Sequence, residues 1–170
     1  MADGLQPLDE AVDHVRGEAG ARVIVEYGDY QCPYSRRALR SIERVERRMD
    51  VRFVFRNFPL TEIHPHALGA ACAAEAAALQ DRFWEMHELL FHRQRALADD
   101  DLRRCADHLG LDIARFDADR TGGDVLGRVE RDVRSALASG QVHGTPTLFI
   151  DGVLHSGDYE PPALMEALAR

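Results

Sequence analysis

Residues 22–58 constrain the fold more than any other part of the chain, because two apolar runs flank one amphipathic stretch. The first run, RVIVEYG at 22–28, is rich in β-branched residues and predicts a buried strand. Residues 33–49 carry aliphatic side chains at helical spacing, and Pro33 suits the first position of a helix. VRFVFRNF at 51–58 predicts a second strand, so the three elements form a β-α-β unit with parallel strands.

The rest of the chain divides into a helical middle and a short second set of strands. Residues 62–139 have helical patterns throughout, and no linker rich in Pro, Gly or Ser separates them from the strands. After Gly144, two strand-like runs flank Asp151-Gly152, a dipeptide typical of two-residue hairpins, and PPALMEALAR then predicts a closing helix. We therefore predict an α/β fold in the order β-α-β, helical insertion, β-β-α, with an N-terminal segment at 1–20, a core at 21–60 and 141–170, and an all-helical insertion at 61–140.

Composition limits where the protein works and what it binds. A length of 170 residues suits one domain, and the formal net charge of −8 argues against nucleic acid or an anionic membrane as a partner. The first 17 residues lack the basic start and apolar stretch of a secretory signal, and no long apolar run predicts a membrane span. Three cysteines are too few for a disulfide framework. We expect a cytoplasmic protein with one special thiol.

Cys32 lies where the first predicted strand gives way to the first predicted helix, in the sequence YQCPYSRR. Free backbone N–H groups and the positive end of the helix dipole favour an anion at such a place. The thiolate is the nucleophilic form of cysteine, and this position lowers the pKa of a thiol. Arg36 and Arg37 favour a thiolate further if they face it, and they face solvent otherwise. The alternative is that Cys32 is an ordinary small residue in a loop.

Two other parts of the sequence support a functional thiol. HGTPT at 143–147 places Pro146 at the start of a strand, where a cis proline leaves the backbone of Thr145 free to pair with an extended peptide. Glu26 interrupts a strand rich in Val and Ile. Either it points to a solvated edge, or it is a buried acid that shuttles protons to the sulfur. His143 either stabilises the thiolate or faces solvent.

Together VEYGDYQCPYS, GTPTLFIDG and the stretch from FRNFPL to HELLF resemble the DsbA-like branch of the thioredoxin superfamily. The resemblance covers the chain from about Asp13 to its end, with the motifs in the family's order. It implies a thioredoxin fold interrupted by a helical subdomain, thiol–disulfide exchange with disulfide-containing proteins or peptides, and no bound cofactor. It also implies that Cys32 attacks or accepts disulfides, that Glu26 is the buried acid, and that Thr145 and Pro146 line the substrate groove. We extend the predicted groove to the neighbouring residues Pro33, Tyr34, His143 and Gly144.

Ser35 departs from the family pattern, in which members that oxidise or reduce dithiols carry a second cysteine at this position. A serine hydroxyl is far too weak an acid to attack a mixed disulfide, so an external thiol must release Cys32. We therefore predict a monothiol thiol–disulfide oxidoreductase, with glutathione as a candidate co-substrate and Ser35 donating a hydrogen bond to the thiolate. The alternatives are a non-catalytic peptide-binding module and glutathione-transferase chemistry, because kappa-class glutathione transferases share the fold and use a serine in this region.

The remaining cysteines and histidines carry weaker indications. Cys72 and Cys105 each lie on the apolar stripe of a predicted helix, which is typical of buried structural cysteines, although either could resolve a mixed disulfide at Cys32. His64 and His66 do not match a zinc spacing, and histidines at the start of a helix more often cap and pack. We therefore predict no metal site.

Overall fold

A mixed five-stranded sheet forms the centre of the computed structural model, which describes residues 4–170. The strands are β1 (His14–Arg16), β2 (Arg22–Gly28), β3 (Val51–Asn57), β4 (Thr147–Ile150) and β5 (Val153–Leu154). Their order across the sheet is β1-β3-β2-β4-β5. β2 and β3 run parallel, as predicted for the β-α-β unit, and every other neighbouring pair of strands is antiparallel.

Seven helices join these strands in the described part of the chain. They are α1 (Pro33–Glu46), α2 (Ala67–Ala78), α3 (Phe83–His92), α4 (Asp99–His108), α5 (Ile113–Arg120), α6 (Gly123–Ser139) and α7 (Pro161–Leu168). The predicted order β-α-β, helices, β-β-α is confirmed. α1 ends earlier than the periodicity predicts, because residues 47 and 48 form the turn that leads into β3. Among residues 4–170, no helix has the length and apolar character needed to cross a membrane.

The hairpin between β4 and β5 turns at Asp151 and Gly152, as predicted from the sequence. Both residues have positive φ, 46° and 84°, which is the combination that a type I′ turn requires and that glycine adopts without steric cost. Asp151 Oδ1 accepts a hydrogen bond of 2.8 Å from the backbone N–H of Val23. This bond joins the turn to β2. It therefore fixes the end of β4 that is farther from the loop at 143–147.

The N-terminal segment contributes a strand that the sequence analysis did not predict. β1 pairs antiparallel with β3, with His14 opposite Phe55. Immediately before β1, the Asp13 carboxylate forms an ion pair of 2.8 Å with the Arg56 guanidinium, and both side chains are fully buried. Residues 4–20 are therefore part of the sheet domain, and residues 1–3 of the segment lie outside the described residues.

Successive side chains of β2 point to opposite faces of the sheet and enter two separate cores. Ile24 belongs to the larger core, which includes Phe53 and Phe55 of β3 together with apolar side chains of the surrounding helices. Val25 belongs to a smaller core with Phe149 and with Ala136 of α6. Alternation places position 26 on the same face as position 24, so the fold directs a carboxylate towards the larger core.

Candidate active site

Cys32 occupies the N-cap of α1, immediately before Pro33 at the start of the helix, as the sequence predicts. Its Sγ lies 3.5 Å from the carbonyl oxygen of Thr145, with the thiol as donor. The Thr145–Pro146 peptide bond is cis. The fold therefore brings together two predicted parts of the site that lie 113 positions apart in the sequence.

The predicted groove residues divide into two groups. His143, Gly144, Thr145 and Pro146 line one cavity of about 390 Å³, which also includes Tyr159. Pro33 and Tyr34 do not line this cavity; both are exposed, and 56% of the Tyr34 surface is accessible to solvent. His143 is exposed too, which matches the solvent-facing alternative. Cys32 itself is only 3% exposed, so little of its side chain is accessible to a reagent.

Ser35 is fully buried in the first turn of α1. Its Oγ accepts a hydrogen bond of 3.2 Å from the backbone N–H of Asp29. Among the described residues, the hydroxyl makes this hydrogen bond and not the predicted one to Cys32. Ser35 therefore stabilises the turn that carries the thiol.

Glu26 is fully buried, so the interpretation as a residue on a solvated edge is wrong. Neither of its carboxylate oxygens has a hydrogen-bond partner within residues 4–170. Burial raises the pKa of Glu26 from 4.5 to about 8, and the positive charge of Arg16 offsets this effect only in part. At neutral pH the group carries a proton, as the predicted role in proton transfer requires.

Asp29 organises the turn before Cys32, a role that no sequence motif predicted. Its Oδ1 accepts a hydrogen bond from the backbone N–H of Gln31 at 2.7 Å. Its Oδ2 accepts from the backbone N–H of Leu60 at 2.9 Å and contacts Nδ1 of His64 at 2.7 Å. An Asp directly after a strand favours such a turn through its side chain, and that position was the available indication in the sequence. His64 thus serves the active-site turn.

Gln94 supports the same turn from the loop after α3. Its Nε2 donates hydrogen bonds to the carbonyl oxygen of Cys32 at 2.7 Å and to that of Tyr30 at 2.9 Å. No motif in the sequence indicated this contact, since 62 positions separate Gln94 from Cys32. Both backbone carbonyls that flank the turn are therefore held by one side chain.

Tyr30, which lies two positions before Cys32 in sequence, forms a neutral buried pair with His87 of α3. The phenol oxygen of Tyr30 and Nδ1 of His87 are 2.9 Å apart, and both residues are fully buried or nearly so. Burial lowers the pKa of His87 and raises that of Tyr30. The pair satisfies two polar groups inside the core without placing a charge there.

The other two cysteines lie in the larger core, on α2 and α4. Burial raises the pKa of Cys72 to about 11, and it also raises the pKa of Cys105. All three cysteines are free in the described structure. The thiols of Cys72 and Cys105 are thus held in the unreactive protonated form, as expected of structural cysteines.

Comparison with protein families assigns the fold. The model of the DSBA-like thioredoxin domain matches residues 23–169. The chain belongs to this family. The match runs from β2 to α7 and contains Glu26, Cys32 and the loop at 143–147, so the resemblance drawn from the sequence motifs is confirmed.

Solved structures share the architecture of this DSBA-like domain. A thioredoxin-like oxidoreductase from Silicibacter pomeroyi has a TM-score of 0.84 and 27% identity, with 95% of this chain and 92% of that chain covered. Oxidised BdbD from Bacillus subtilis has a TM-score of 0.82 and 22% identity, with 99% and 96% covered. The predicted thioredoxin fold with a helical insertion is confirmed.

The curated relatives of the DSBA-like domain are longer proteins. The Na(+)/H(+) antiporter NhaA 3 of Salinispora tropica is 46% identical over 173 residues, which cover 99% of this chain and 26% of that protein. The Na(+)/H(+) antiporter NhaA 1 of Mycolicibacterium vanbaalenii is 43% identical over 169 residues, which cover 96% and 27%. This chain spans about a quarter of the length of the curated relatives it matches.

Proposed function

We propose that this DSBA-like domain is a thiol–disulfide oxidoreductase that acts through Cys32 alone. The observation that carries the proposal is the 3.5 Å contact between Cys32 Sγ and the Thr145 carbonyl, which sets one thiol at a helix start beside the predicted groove. Ser35 supplies no second thiol, and the sulfurs of Cys72 and Cys105 lie in the core. An external thiol, with glutathione as the candidate, must therefore complete the cycle.

The proposed cycle has two exchange steps. The Cys32 thiolate attacks one sulfur of a disulfide-containing protein, peptide or glutathione mixed disulfide, the S–S bond breaks, and the other half leaves as a thiolate. The external thiolate then attacks the mixed disulfide and frees Cys32. Glu26 is proposed to support the proton transfers, because it is protonated at neutral pH and is buried on β2, the strand that leads to Cys32.

The substrate backbone is proposed to bind along the loop at Thr145 and Pro146. The hydroxyl of Thr145 is buried and has no hydrogen-bond partner among the described residues, so this loop contains one unsatisfied polar group. The exposed ring of Tyr34 offers an apolar contact near the thiol. Free cysteines suit a reducing compartment, and we propose that the domain works in the cytoplasm.

Oxidised glutathione tests the proposal directly. Intact mass spectrometry is expected to show one glutathione added to the wild-type protein and none added to Cys32→Ser. Cys72→Ser and Cys105→Ser are matched controls that should retain the adduct, because a raised pKa holds both of these thiols in the protonated form. The proposal would be contradicted if oxidised glutathione modifies a cysteine-containing control peptide but leaves the wild-type protein unmodified. Glutathione that binds without a covalent adduct would indicate transferase-like chemistry.

A non-catalytic peptide-binding module is the second candidate function. The observation in its favour is the 3% exposure of Cys32, which restricts attack on the sulfur. In that case an extended peptide should bind equally well to wild type and Cys32→Ser, and neither should form a mixed disulfide.

Gln94→Ala is expected to slow mixed-disulfide formation at Cys32 by about tenfold, because the carbonyls of Tyr30 and Cys32 lose the side-chain donor that bridges them. Gln80→Ala is the matched control, since Gln80 also makes two side-chain hydrogen bonds to backbone, both to Asp112. The rate of mixed-disulfide formation and the denaturation midpoint should be measured for both variants. Equal rate losses in the two variants would show that Gln94 acts through stability alone.

A further inference from the structure

A basic pocket of about 400 Å³ adjoins the backbone of Cys32 and is separate from the predicted groove. It is formed by the loop after α3 and the first turn of α1, and its lining consists of Arg36, His92, Arg93, Gln94, Arg95 and Ala96. Neither Asp nor Glu belongs to this lining. A pocket with only basic charges stands out in a chain whose formal net charge is −8.

Two residues of the pocket lining contact Cys32. The side chain of Gln94 donates to the Cys32 carbonyl at 2.7 Å, and the backbone N–H of Arg36 donates to the same carbonyl at 3.2 Å. The pocket therefore begins at the backbone of the reactive residue. Arg36 also follows Cys32 by four positions, so the two residues share one face of the first turn of α1.

Arg36 and Arg95 supply the guanidinium groups that are available to a ligand, because Nη1 of Arg93 donates to Sγ of Cys105 at 3.9 Å. Within residues 4–170, Arg36, Arg93 and Arg95 form no ion pair with a carboxylate. Arg37, the next residue in the helix, differs, because it pairs with Glu160 at 2.8 Å. Arg36 and Arg93 are partly buried, which reduces the screening of their charges by water.

We propose that this pocket binds a carboxylate of the small thiol or disulfide that exchanges with Cys32. Guanidinium groups match carboxylates in charge and in geometry, and the volume suits a small molecule. This inference rests on the proposed function, and it names the substrate class as acidic. In the exchange, the Cys32 thiolate attacks one sulfur of the anionic disulfide, a new S–S bond to Cys32 forms, and the other half departs as a thiolate, while the carboxylate of the attached half is held by the arginines.

Three small disulfides that differ in charge test the proposal. Dithiodiglycolate is anionic, hydroxyethyl disulfide is neutral and cystamine is cationic. Intact mass spectrometry should follow the rate at which each modifies Cys32 in wild type, in the double variant Arg36→Gln/Arg95→Gln and in Arg48→Gln. Arg48 is the matched control, because it is exposed just beyond the other end of α1, and the helix from Arg36 to its end at Glu46 is about 15 Å long at 1.5 Å per residue.

The ratio of the anionic to the neutral rate is expected to fall about tenfold in the double variant and to change less than twofold in Arg48→Gln. High salt should lower the same ratio in the wild-type protein, which provides a measurement without any substitution. An equal ratio in wild type and double variant overturns the carboxylate site and leaves the proposed function standing, provided that the neutral disulfide reacts. If the neutral disulfide fails to modify wild-type Cys32, the proposed function itself is overturned.

Discussion

Replacing Glu26 with glutamine is expected to stabilise the fold by about 3–5 kcal/mol at pH 9 and by less than about 1 kcal/mol at pH 5. Burial raises the pKa of this carboxyl from 4.5 to about 8, so between these pH values the native state binds a proton that the unfolded state releases. The free energy of unfolding of the wild type therefore falls as pH rises through this range. Glutamine resembles the protonated acid and does not ionise. Urea unfolding at pH 5, 7 and 9 measures the difference.

Glu62→Gln is the matched control, because Glu62 is exposed and the substitution is the same chemical change. It should change the free energy of unfolding by less than about 0.5 kcal/mol at each pH. If Glu26 moves protons for the sulfur, Glu26→Gln should also slow exchange at Cys32 by about 100-fold. If the difference in free energy of unfolding between wild type and Glu26→Gln stays constant from pH 5 to pH 9, the raised pKa of Glu26 is contradicted. The proposed role in proton transfer then loses its basis.

Local patterns account for the parts of the fold that the sequence predicts well. Three predicted features depend on residues that are adjacent in sequence. They are strand β2, the start of α1 at Pro33 and the turn at Asp151-Gly152. The short strand β1 has three residues and a mixed composition, so its pairing with β3 comes from tertiary contacts that no local pattern reveals. Sequence patterns also left Glu26 undecided, because its burial depends on what covers that face of the sheet.

The candidate site was predictable where the family motifs cover it. Cys32 and the loop at 143–147 carry those motifs, and the structure places them in contact. Asp29 and Gln94 were missed, because an Asp or a Gln in a loop reveals its hydrogen-bond partners only once the distant segments are in place. Ser35 shows the same limit: its position next to the thiol was evident, but its partner, the Asp29 amide, was not.

Arg56→Met is expected to lower the free energy of unfolding by about 3–5 kcal/mol, a large part of the roughly 5–15 kcal/mol that stabilises a typical domain. The Arg56 guanidinium is fully buried and donates to both carboxylate oxygens of Asp13, at 2.9 and 2.8 Å. It also donates to the phenol oxygen of Tyr27 at 3.0 Å. Methionine fills similar space but leaves the Asp13 carboxylate buried without its main partner. Guanidinium chloride denaturation at pH 7 measures the loss.

Two further variants separate the ion pair from simple packing. Arg48→Met removes an exposed arginine and should cost less than about 0.5 kcal/mol. The double variant Asp13→Leu/Arg56→Met removes both charges and should regain much of the lost stability, because an apolar pair of similar volume often replaces a buried ion pair at little cost.

The pH dependence gives an independent measure of the same pair. Burial raises the pKa of Asp13, but the hydrogen bonds and charge of Arg56 outweigh burial and hold it at about 2, below the ordinary 3.8. The wild type therefore has this stabilisation in full above pH 3.8 and loses it as pH falls through 2. Arg56→Met should instead gain stability relative to wild type on acidification, since protonation then removes a buried charge whose remaining ion-pair partner is Arg131 at 3.2 Å. The free energies of unfolding of wild type and Arg56→Met should therefore be compared from pH 7 to pH 3. If their difference stays constant, packing, and not the charge of Arg56, joins the N-terminal segment to the sheet.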